Sequence, residues 1–464
     1  MAETSNDSNA VNLISNIKSL HILKQIFINL LTNKLLNFMR YNKNLQIRLN
    51  KDIDDYRSAY SKIVIEIIPI DCNYIIFDFK HDESYYHIYI NDNKNELKRK
   101  YIIQSDKAEK IKIVIDEEIK SLFKLFERCF YIKKVNFIVF NRKDITDISY
   151  MFYCCESLEE INTSNFKTNN ITNMSYIFNE CNSLKELNLS NFITNQVTDM
   201  KCMFNKCSSL QKINLSSFDT SNVLDMRYMF CQCKSLKELN ISNFNTSKVK
   251  DMCYMFSECS SLSELNLSNF NANNVYDMSF MFNECHSLKK LDISNFNNNK
   301  TTTMSHMFSD CKSLTELNIT NFYTNAVNNM CNMFNHCLLL KEINLSNFNT
   351  REVRDISCMF QDCSSLIKID VSNFNTENVN DMRLMFKGCN SLKELNLSNF
   401  NIKNVTNMSF MFAECSSLKE LNISNFINNE KNDFYQMFDG CKLLTKLDGL
   451  DIYQELLQKK DEQK

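Results

Sequence analysis

The amino-acid sequence predicts an α/β solenoid, with a parallel sheet of short strands on one face and short helices on the other. Three columns of residues recur at a fixed interval along the chain. The first consists of cysteines at intervals of 26 residues, without insertion or deletion: Cys129, Cys155, Cys181, Cys207, Cys233, Cys259, Cys285, Cys311, Cys337, Cys363, Cys389, Cys415 and Cys441. The second consists of phenylalanines three residues before each of these cysteines, from Phe126 to Phe438, and the third, also of phenylalanines, runs from Phe140 to Phe426. Repeats of about 20–50 residues are typical of solenoids, because each unit buries its apolar face only against its neighbours.

The first half of each unit has the pattern of a helix, as the unit from Asn173 to Asp199 shows. Asn173 precedes the pattern and is of a type that caps helices, as are the residues at the equivalent positions of the other units. The i, i+3, i+4, i+7 spacing of the apolar residues predicts one buried helix face: Met174, Ile177, Phe178 and Cys181. The cap positions are Asp147, Asn173, Asp199, Asp225, Asp251, Asp277, Thr303, Asn329, Asp355, Asp381, Asn407 and Asp433.

The second half of the unit has the pattern of a strand. Leu187 and Leu189 alternate with Asn188, which predicts a short strand with both leucines inward and the asparagine outward. Packed helices lie about 8–10 Å apart and paired strands about 4.8 Å apart, so we expect the solenoid to curve with its sheet on the concave face. About thirteen coils occupy residues 119–450, and residues 119–140 form a degenerate first coil.

Two segments carry a resemblance to a known family. Ser183–Phe192 reads Ser-Leu-Lys-Glu-Leu-Asn-Leu-Ser-Asn-Phe, and Asn378–Cys389 reads Asn-Val-Asn-Asp-Met-Arg-Leu-Met-Phe-Lys-Gly-Cys. Both are similar to the repeat of the BspA-like leucine-rich-repeat surface proteins, and the similarity extends over roughly residues 119–450. The resemblance implies a curved leucine-rich-repeat fold and a role in adhesion or protein binding, on bacterial or protist surfaces for many members.

The cysteine pattern favours buried free thiols over disulfides or zinc. Structural zinc sites require cysteine pairs two to four residues apart with matching partners, and neither Cys154–Cys155 nor Cys231 with Cys233 supplies such a set. Equivalent cysteines of stacked coils point the same way, whereas a disulfide requires two that face each other. We therefore predict small apolar fillers in the core and a reducing compartment.

The outward strand positions predict the candidate binding face. They hold charged residues next to an Asn or Asp column, and this pattern is typical either of a face that binds an extended partner or of a solvated sheet. The turns after the second phenylalanine vary more and are an alternative place for specificity: Ile193–Gln196, Asn297–Lys300, Tyr323–Ala326 and Arg351–Glu352. The charged positions are Glu160, Glu186, Lys212, Glu238, Glu264, Lys290, Glu316, Glu342, Lys368, Glu394 and Glu420.

No pattern in the sequence predicts catalysis. With 3 Gly in 464 residues, the chain has no glycine-rich phosphate loop. Paired acids such as Asp54–Asp55 and Glu117–Glu118 are typical of solvated surface. We predict no catalytic residue, no metal ligand, no cofactor and no small-molecule substrate, and no particular binding residue stands out. The six histidines have no metal-binding spacing and no neighbouring nucleophile motif: His21, His81, His87, His286, His306 and His336.

Residues 1–118 lack the repeat and are predicted to form an α+β cap over the first coil. Helical spacing runs from Ile14 to Met39, and residues 20–49 loosely resemble an F-box helical hairpin without its leading Leu-Pro. Residues 451–464 are a charged tail that is predicted to cap the other end. Strand patterns occupy Ile63–Ile70, Tyr74–Phe79, Tyr85–Ile90, Tyr101–Ile103 and Ile111–Ile115.

Charge and hydropathy narrow the class of function. The 53 basic and 55 acidic residues give a net charge of −2, which offers no electrostatic case for nucleic acid or anionic membranes. Met1–Ala10 has no signal-peptide pattern and no stretch of about 18 apolar residues occurs, so we expect a cytoplasmic protein. The main hypothesis is a protein-binding or scaffolding solenoid. The alternatives are a BspA-like cell-surface adhesin, an F-box-like substrate receptor, and an enzyme with its site in residues 1–118.

Overall fold

The computed structural model describes residues 17–19, 43–49, 61–70, 74–140, 142–427 and 431–449. The structure gives both ends of one α-helix, α1 (Lys43–Leu49), and of two 3-10 turns (Glu83–Tyr85 and Gln104–Asp106), and the remaining elements are short strands. No helix in the described ranges has the length and apolar character needed to span a bilayer. The strands are β1 (Ile63–Pro69), β2 (Tyr74–Ile76), β3 (Tyr86–Ile90), β4 (Tyr101–Ile103), β5 (Ile111–Ile115), β6 (Ile132–Val139), β7 (Glu160–Asn162), β8 (Glu186–Asn188), β9 (Lys212–Asn214), β10 (Lys290–Asp292), β11 (Glu316–Asn318), β12 (Glu394–Asn396), β13 (Glu420–Asn422) and β14 (Lys446–Asp448).

The N-terminal strands form an antiparallel sheet that continues into the solenoid. The strand order is β3-β5-β1-β6-β7, with β1 antiparallel to both β5 and β6, whereas β6 and β7 are parallel. Strand β2 pairs with β4 in a separate two-stranded sheet. Each of the five predicted strand patterns therefore contains a strand. After β3, Asn91 and Asp92 have φ values of 50° and 58°, which a tight hairpin turn requires.

Arg142 joins this sheet to the first coil. Its side chain is 6% exposed, and its guanidinium donates to the carbonyl oxygens of Asp116 at 3.1 Å and of Ile119 at 2.7 Å. It also forms an ion pair with the carboxylate of Asp144, which lowers the pKa of Asp144 below its ordinary value. One buried cation thus satisfies carbonyl groups where the antiparallel sheet ends and the repeat begins.

Three sequence predictions lie wholly or mostly outside the described residues. The helical pattern from Ile14 to Met39 falls there except for residues 17–19, and the charged tail 451–464 falls there entirely. Of the F-box-like segment 20–49, only α1 is described. These predictions, and the predicted domain bounds, stay predictions.

Beyond β6 the chain winds into a parallel β-solenoid of about twelve turns. The cap positions of successive coils pair in parallel from Asp147 to Asp433 and form one continuous column of bridges. The strands form a second, interrupted ladder of four parallel groups: β6-β7, β8-β9, β10-β11 and β12-β13-β14. The coils at 238–240, 264–266, 342–344 and 368–370 carry no strand. Leu187 and Leu189 are buried and Asn188 is exposed, as the alternation predicts.

The predicted short helices of the return are wrong. Met174 to Cys181 form a train of turns, with Tyr176 and Glu180 in the left-handed region at φ 58° and 62°. Alternate amides donate to the next coil: Met174 N to Asp199 O at 3.0 Å and Phe178 N to Met203 O at 3.0 Å. The remaining amides close local turns; for example, the Cys181 N–H donates to Phe178 O at 3.1 Å. A helix would satisfy these groups within one segment, whereas here they join neighbouring coils.

The predicted cap positions do cap the chain, although no helix follows. The carboxylate of Asp199 accepts the backbone N–H of Lys201 at 2.9 Å, and Asn173 accepts that of Ser175 at 3.0 Å. The side chain therefore orders the first turn of the return in the way that an N-cap orders a helix.

The spacing of the coils removes the predicted reason for curvature. Adjacent rings of the Phe126–Phe438 column lie 5.4 to 6.0 Å apart, far below the separation of packed helices. On the strand side, the rings of Phe218 and Phe244 lie 6.4 Å apart. The return therefore does not have the wide spacing of packed helices, because hydrogen bonds between coils hold it at a sheet-like spacing.

The apolar columns form one continuous core. The predicted columns of phenylalanine and cysteine are buried along the solenoid, with methionine, leucine and valine columns between them. A buried threonine column lies beside them and was not anticipated. Thr220 donates its hydroxyl to Asn245 O at 2.9 Å and accepts Asn245 N–H at 2.8 Å. Its members are Thr168, Thr194, Thr220, Thr246, Thr324, Thr350 and Thr376.

Candidate functional site: the sheet face

The sheet face consists of the outward strand positions of each coil, from Glu160 to Lys446. All of these charged residues are exposed, as predicted. They are exposed because each short strand turns a single apolar central side chain, such as Leu187, toward the core and its charged neighbour to solvent. The solenoid thereby presents one charged side chain per coil at a regular interval.

Ion pairs join some of the lysines and glutamates of adjacent coils along this face. Lys212 lies 3.2 Å from Glu186, and Lys290 lies 2.6 Å from Glu316, each across a pair of hydrogen-bonded strands. The pairs Lys134–Glu160 and Lys446–Glu420 repeat the arrangement at 2.6 Å and 2.9 Å. Because these pairs are exposed, each contributes little to stability.

A shallow groove of about 1420 Å³ crosses the middle of the sheet face. It extends over five coils, from Lys237 to Asn344, and the strand residues of each coil line it. Leu239 and Leu265 form part of its floor and are 8% exposed. Three of the four coils that carry no strand, those at 238–240, 264–266 and 342–344, line the groove.

The asparagine column beside the charged residues is occupied by local hydrogen bonds. Asn188 accepts the backbone N–H of Ser190 at 3.1 Å, and Asn266 accepts that of Ser268 at 3.0 Å. These side chains shape the turn at the strand end. The charged column is therefore the more available of the two for a partner.

The variable turns lie apart from the sheet face, and one of them borders a smaller cavity. Ala326, Asn328, Glu352 and Arg354 line a depression of about 540 Å³. Two of these residues belong to the predicted turn segments. Ile193, in another of the turns, is 43% exposed. The structure does not bring the turns and the charged column into one site.

The described histidines are spread over several parts of the chain and do not form one site. The ring of His306 stacks on Phe280 at 4.2 Å, and His336 Nε2 lies 2.9 Å from an Asp362 carboxylate oxygen. His286 Nδ1 lies 2.9 Å from Asp310 O, and His81 is exposed. His21 lies outside the described residues.

His87 has the most organised surroundings of these histidines. Its Nδ1 lies 3.0 Å from Glu96 and its Nε2 lies 3.0 Å from Asp116, whose carboxylate also pairs with Lys62 at 2.9 Å. The hydrogen bond to Asp116 is the main reason that the pKa of His87 is raised, and burial opposes it. Both ring nitrogens are engaged, so this arrangement leaves no lone pair for general-base chemistry.

One group of three potential metal ligands occurs in the described part of the chain: Asp251, Cys253 and Asp277, with ligand atoms within 4.8 Å of one another. Burial, and then the charges of Asp251 and Asp277, raise the pKa of the Cys253 thiol well above its ordinary value. Asp251 also accepts the Cys253 N–H at 3.0 Å as part of the cap column. The capping role explains this group, and we assign no metal to it.

The cysteines in the described residues are free, and all but Cys331 and Cys441 are buried. Burial raises the pKa of Cys207 and Cys285 to about 12. At neutral pH these thiols are protonated and inert, as expected for core side chains. Cys72 lies outside the described residues.

These observations define a class of protein: a repeat solenoid with a continuous apolar core and a regular, exposed sheet face. The chain belongs to the family described as "Mycoplasma protein of unknown function, DUF285", which it matches over five overlapping stretches. These are residues 120–239, 207–315, 233–344, 286–369 and 339–450. No curated protein matches the sequence.

Among solved structures, the chain is similar to one titled "Crystal structure of TLR13-ssRNA13 complex". The sequence identity is 14% and the TM-score is 0.23, and the likeness covers 66% of this chain and 49% of that chain. This chain thus spans about half the length of its structural neighbour.

Proposed function

We propose that this protein is a non-catalytic interaction module, a scaffold whose sheet face binds another protein. The observation that carries the proposal is the groove of about 1420 Å³ across five coils of that face. A solenoid adds coils without changing the surface chemistry, so its exposed sheet suits a partner that extends along the axis.

The chemistry of the face favours a polypeptide partner. Five acidic and three basic residues line the groove, a balance that opposes the phosphate contacts on which nucleic-acid binding depends. Exposed charges and amides offer hydrogen bonds to a peptide, and the leucines of the floor offer apolar contact. The resemblance to BspA-like leucine-rich-repeat proteins agrees with protein binding, although adhesion and a cell-surface location stay predictions.

The cellular compartment also belongs to this proposal. The column of free, buried thiols agrees with a reducing environment, where cysteines stay unpaired. We therefore keep the cytoplasm as the proposed location.

Site-specific photocrosslinking in an extract of the native source tests the proposed function. One variant carries p-benzoylphenylalanine in place of Glu264, in the groove. The matched control carries it in place of Tyr276, which is 45% exposed and lies outside the groove lining. We expect a discrete polypeptide adduct from position 264 and none from 276. An adduct only from 276, equal adducts from both positions, or adducts with nucleic acid alone would overturn the proposal.

A further inference from the structure

The acidic residues of the groove differ in whether they have a cationic partner. Glu316 pairs with Lys290, whereas Glu238, Glu264 and Glu342 have no ion pair within the described part of the chain. All three are exposed. The groove therefore has a net negative charge, and three of its carboxylates are free to bind a cation.

The coils of Glu238 and Glu264 place two glutamates at adjacent positions of the charged column, and neither coil carries a strand. Like charges on neighbouring positions repel. The flanking lysines pair with other residues, Lys212 with Glu186 and Lys290 with Glu316. Glu394 and Glu420 are also adjacent and like-charged, but Lys446 pairs with Glu420. Among the described residues, the carboxylates of Glu238 and Glu264 are therefore left without an ion pair on either side.

We infer that the groove binds an extended basic peptide, whose lysine or arginine side chains pair with Glu238, Glu264 and Glu342. This inference rests on the proposed function and specifies the chemistry of the partner. The basic residues of the lining do not remove the negative charge, because Lys290 is paired with Glu316 and the acids exceed the remaining lysines.

The spacing of the carboxylates suits an extended chain that lies along the solenoid axis. Glu238 and Glu264 are one coil apart, and Glu342 lies three coils beyond Glu264. At about 4.8 Å per coil the three carboxylates extend over roughly 20 Å, the length of about six extended residues. Alternate residues of such a peptide lie about 6.6 Å apart on one side. The flexible side chain of lysine is long enough to bridge the difference between this peptide spacing and the spacing of the coils.

Fluorescence anisotropy with the full-length protein tests the inference. The probe is a labelled decapeptide of alternating lysine and serine, and its counterpart alternates glutamate and serine. We expect the basic peptide to bind and the acidic peptide not to bind. Affinity for the basic peptide should fall as ionic strength rises, because salt screens exposed charge pairs.

A pair of double variants separates a specific site from bulk charge. In E238Q/E264Q two unpaired groove carboxylates are lost, and we expect binding to weaken about fivefold to tenfold. In E186Q/E420Q the same charge is lost from carboxylates that are ion-paired and lie outside the groove lining. This second variant should bind the basic peptide as the parent does, and circular dichroism should show that both variants keep the fold.

Three results would overturn the inference. One is no binding of the basic peptide at millimolar concentration, another is equal weakening in both double variants, and the third is tighter binding of a single-stranded RNA decamer. If any of these occurs while position 264 still crosslinks to a polypeptide, the proposed function stands with a partner of different charge. Loss of that crosslink would instead overturn the proposed function.

Discussion

The thiol of Cys285 donates a hydrogen bond to the backbone carbonyl oxygen of Phe256, with an Sγ···O distance of 3.2 Å. The contact links one coil to the coil before it, and both residues are fully buried. The same contact joins Cys207 to Phe178 O at 3.1 Å. The cysteine column is therefore more than an apolar filler, because each thiol also satisfies a carbonyl group between coils.

Cys285→Ala removes this hydrogen bond together with a buried sulfur atom. We expect the free energy of unfolding to fall by about 1–2 kcal/mol, since the Phe256 carbonyl keeps only the Cys259 amide as donor. Chemical denaturation measures the change. Cys331→Ala is the matched control, because Cys331 is only partly buried and lies outside this column. A loss at Cys331 as large as that at Cys285 would contradict a specific role for the column.

Thiol labelling of the folded protein should depend on burial. Among the described cysteines, we expect Cys331 and Cys441, which are partly exposed, to react first with a small alkylating reagent at neutral pH. Cys207, Cys285 and the other fully buried thiols should react only after unfolding, because they stay protonated and out of contact with solvent. Peptide mapping after timed labelling measures the order. Rapid labelling of Cys285 in the native state would show that the core column is open.

Phe282→Ala tests the continuity of the core. The Phe282 ring is fully buried and stacks between Phe256 and Phe308, with centroids 5.7 and 5.6 Å away. A cavity at this position should cost about 3–5 kcal/mol. Thermal and chemical unfolding measure the loss, and Tyr276→Ala, at an exposed position, should change stability little. Parent-like unfolding of the Phe282 variant would contradict the buried column.

Substitutions of Thr220 test the role of the threonine column, in which a later coil has asparagine in place of threonine. Thr220→Val keeps the shape but leaves both the N–H and the carbonyl group of Asn245 without their partner, at a cost of about 2–3 kcal/mol. In a later coil Asn298 replaces threonine, donating to Tyr323 O and accepting Tyr323 N–H. Thr220→Asn should therefore cost less than Thr220→Val in denaturant unfolding. The reverse order would show that volume, not hydrogen bonding, selects threonine here.

The repeat, the inward columns and most of the strands were predictable, whereas the return and the four coils without a strand were not. Met174, Ile177, Phe178 and Cys181 are buried in the turn train as they would be in a helix, so apolar spacing alone does not separate the two. The turns differ from a helix in the left-handed backbone of Tyr176 and Glu180, a conformation that most L-residues disfavour.

A weak signal for this backbone was present in the sequence. Two of the three glycines, Gly388 and Gly440, fall immediately before column cysteines, at φ values of 71° and 73°. Glycine accepts this conformation without cost. The charged column was predicted as a whole, but adjacent coils carry glutamates at four places in it, so the sequence did not indicate which carboxylates lack an ion pair.

His87 should make the stability of the N-terminal sheet depend on pH. Its pKa is raised in the folded protein by the hydrogen bonds to Asp116 and Glu96. A raised pKa means that the folded state binds the proton more tightly than the unfolded state, in which the pKa is about 6.5. The stabilisation is therefore fully present below about pH 6.5 and is lost as the pH rises through the folded pKa. We expect lower thermal stability at pH 8.5 than at pH 6, and His87→Gln should remove that difference, whereas His81→Gln, at an exposed position, should retain it. NMR titration of the His87 ring measures the shift directly. A His87 pKa at or below the ordinary value would contradict the two-carboxylate arrangement, because carboxylates at 3.0 Å from both ring nitrogens stabilise the cation.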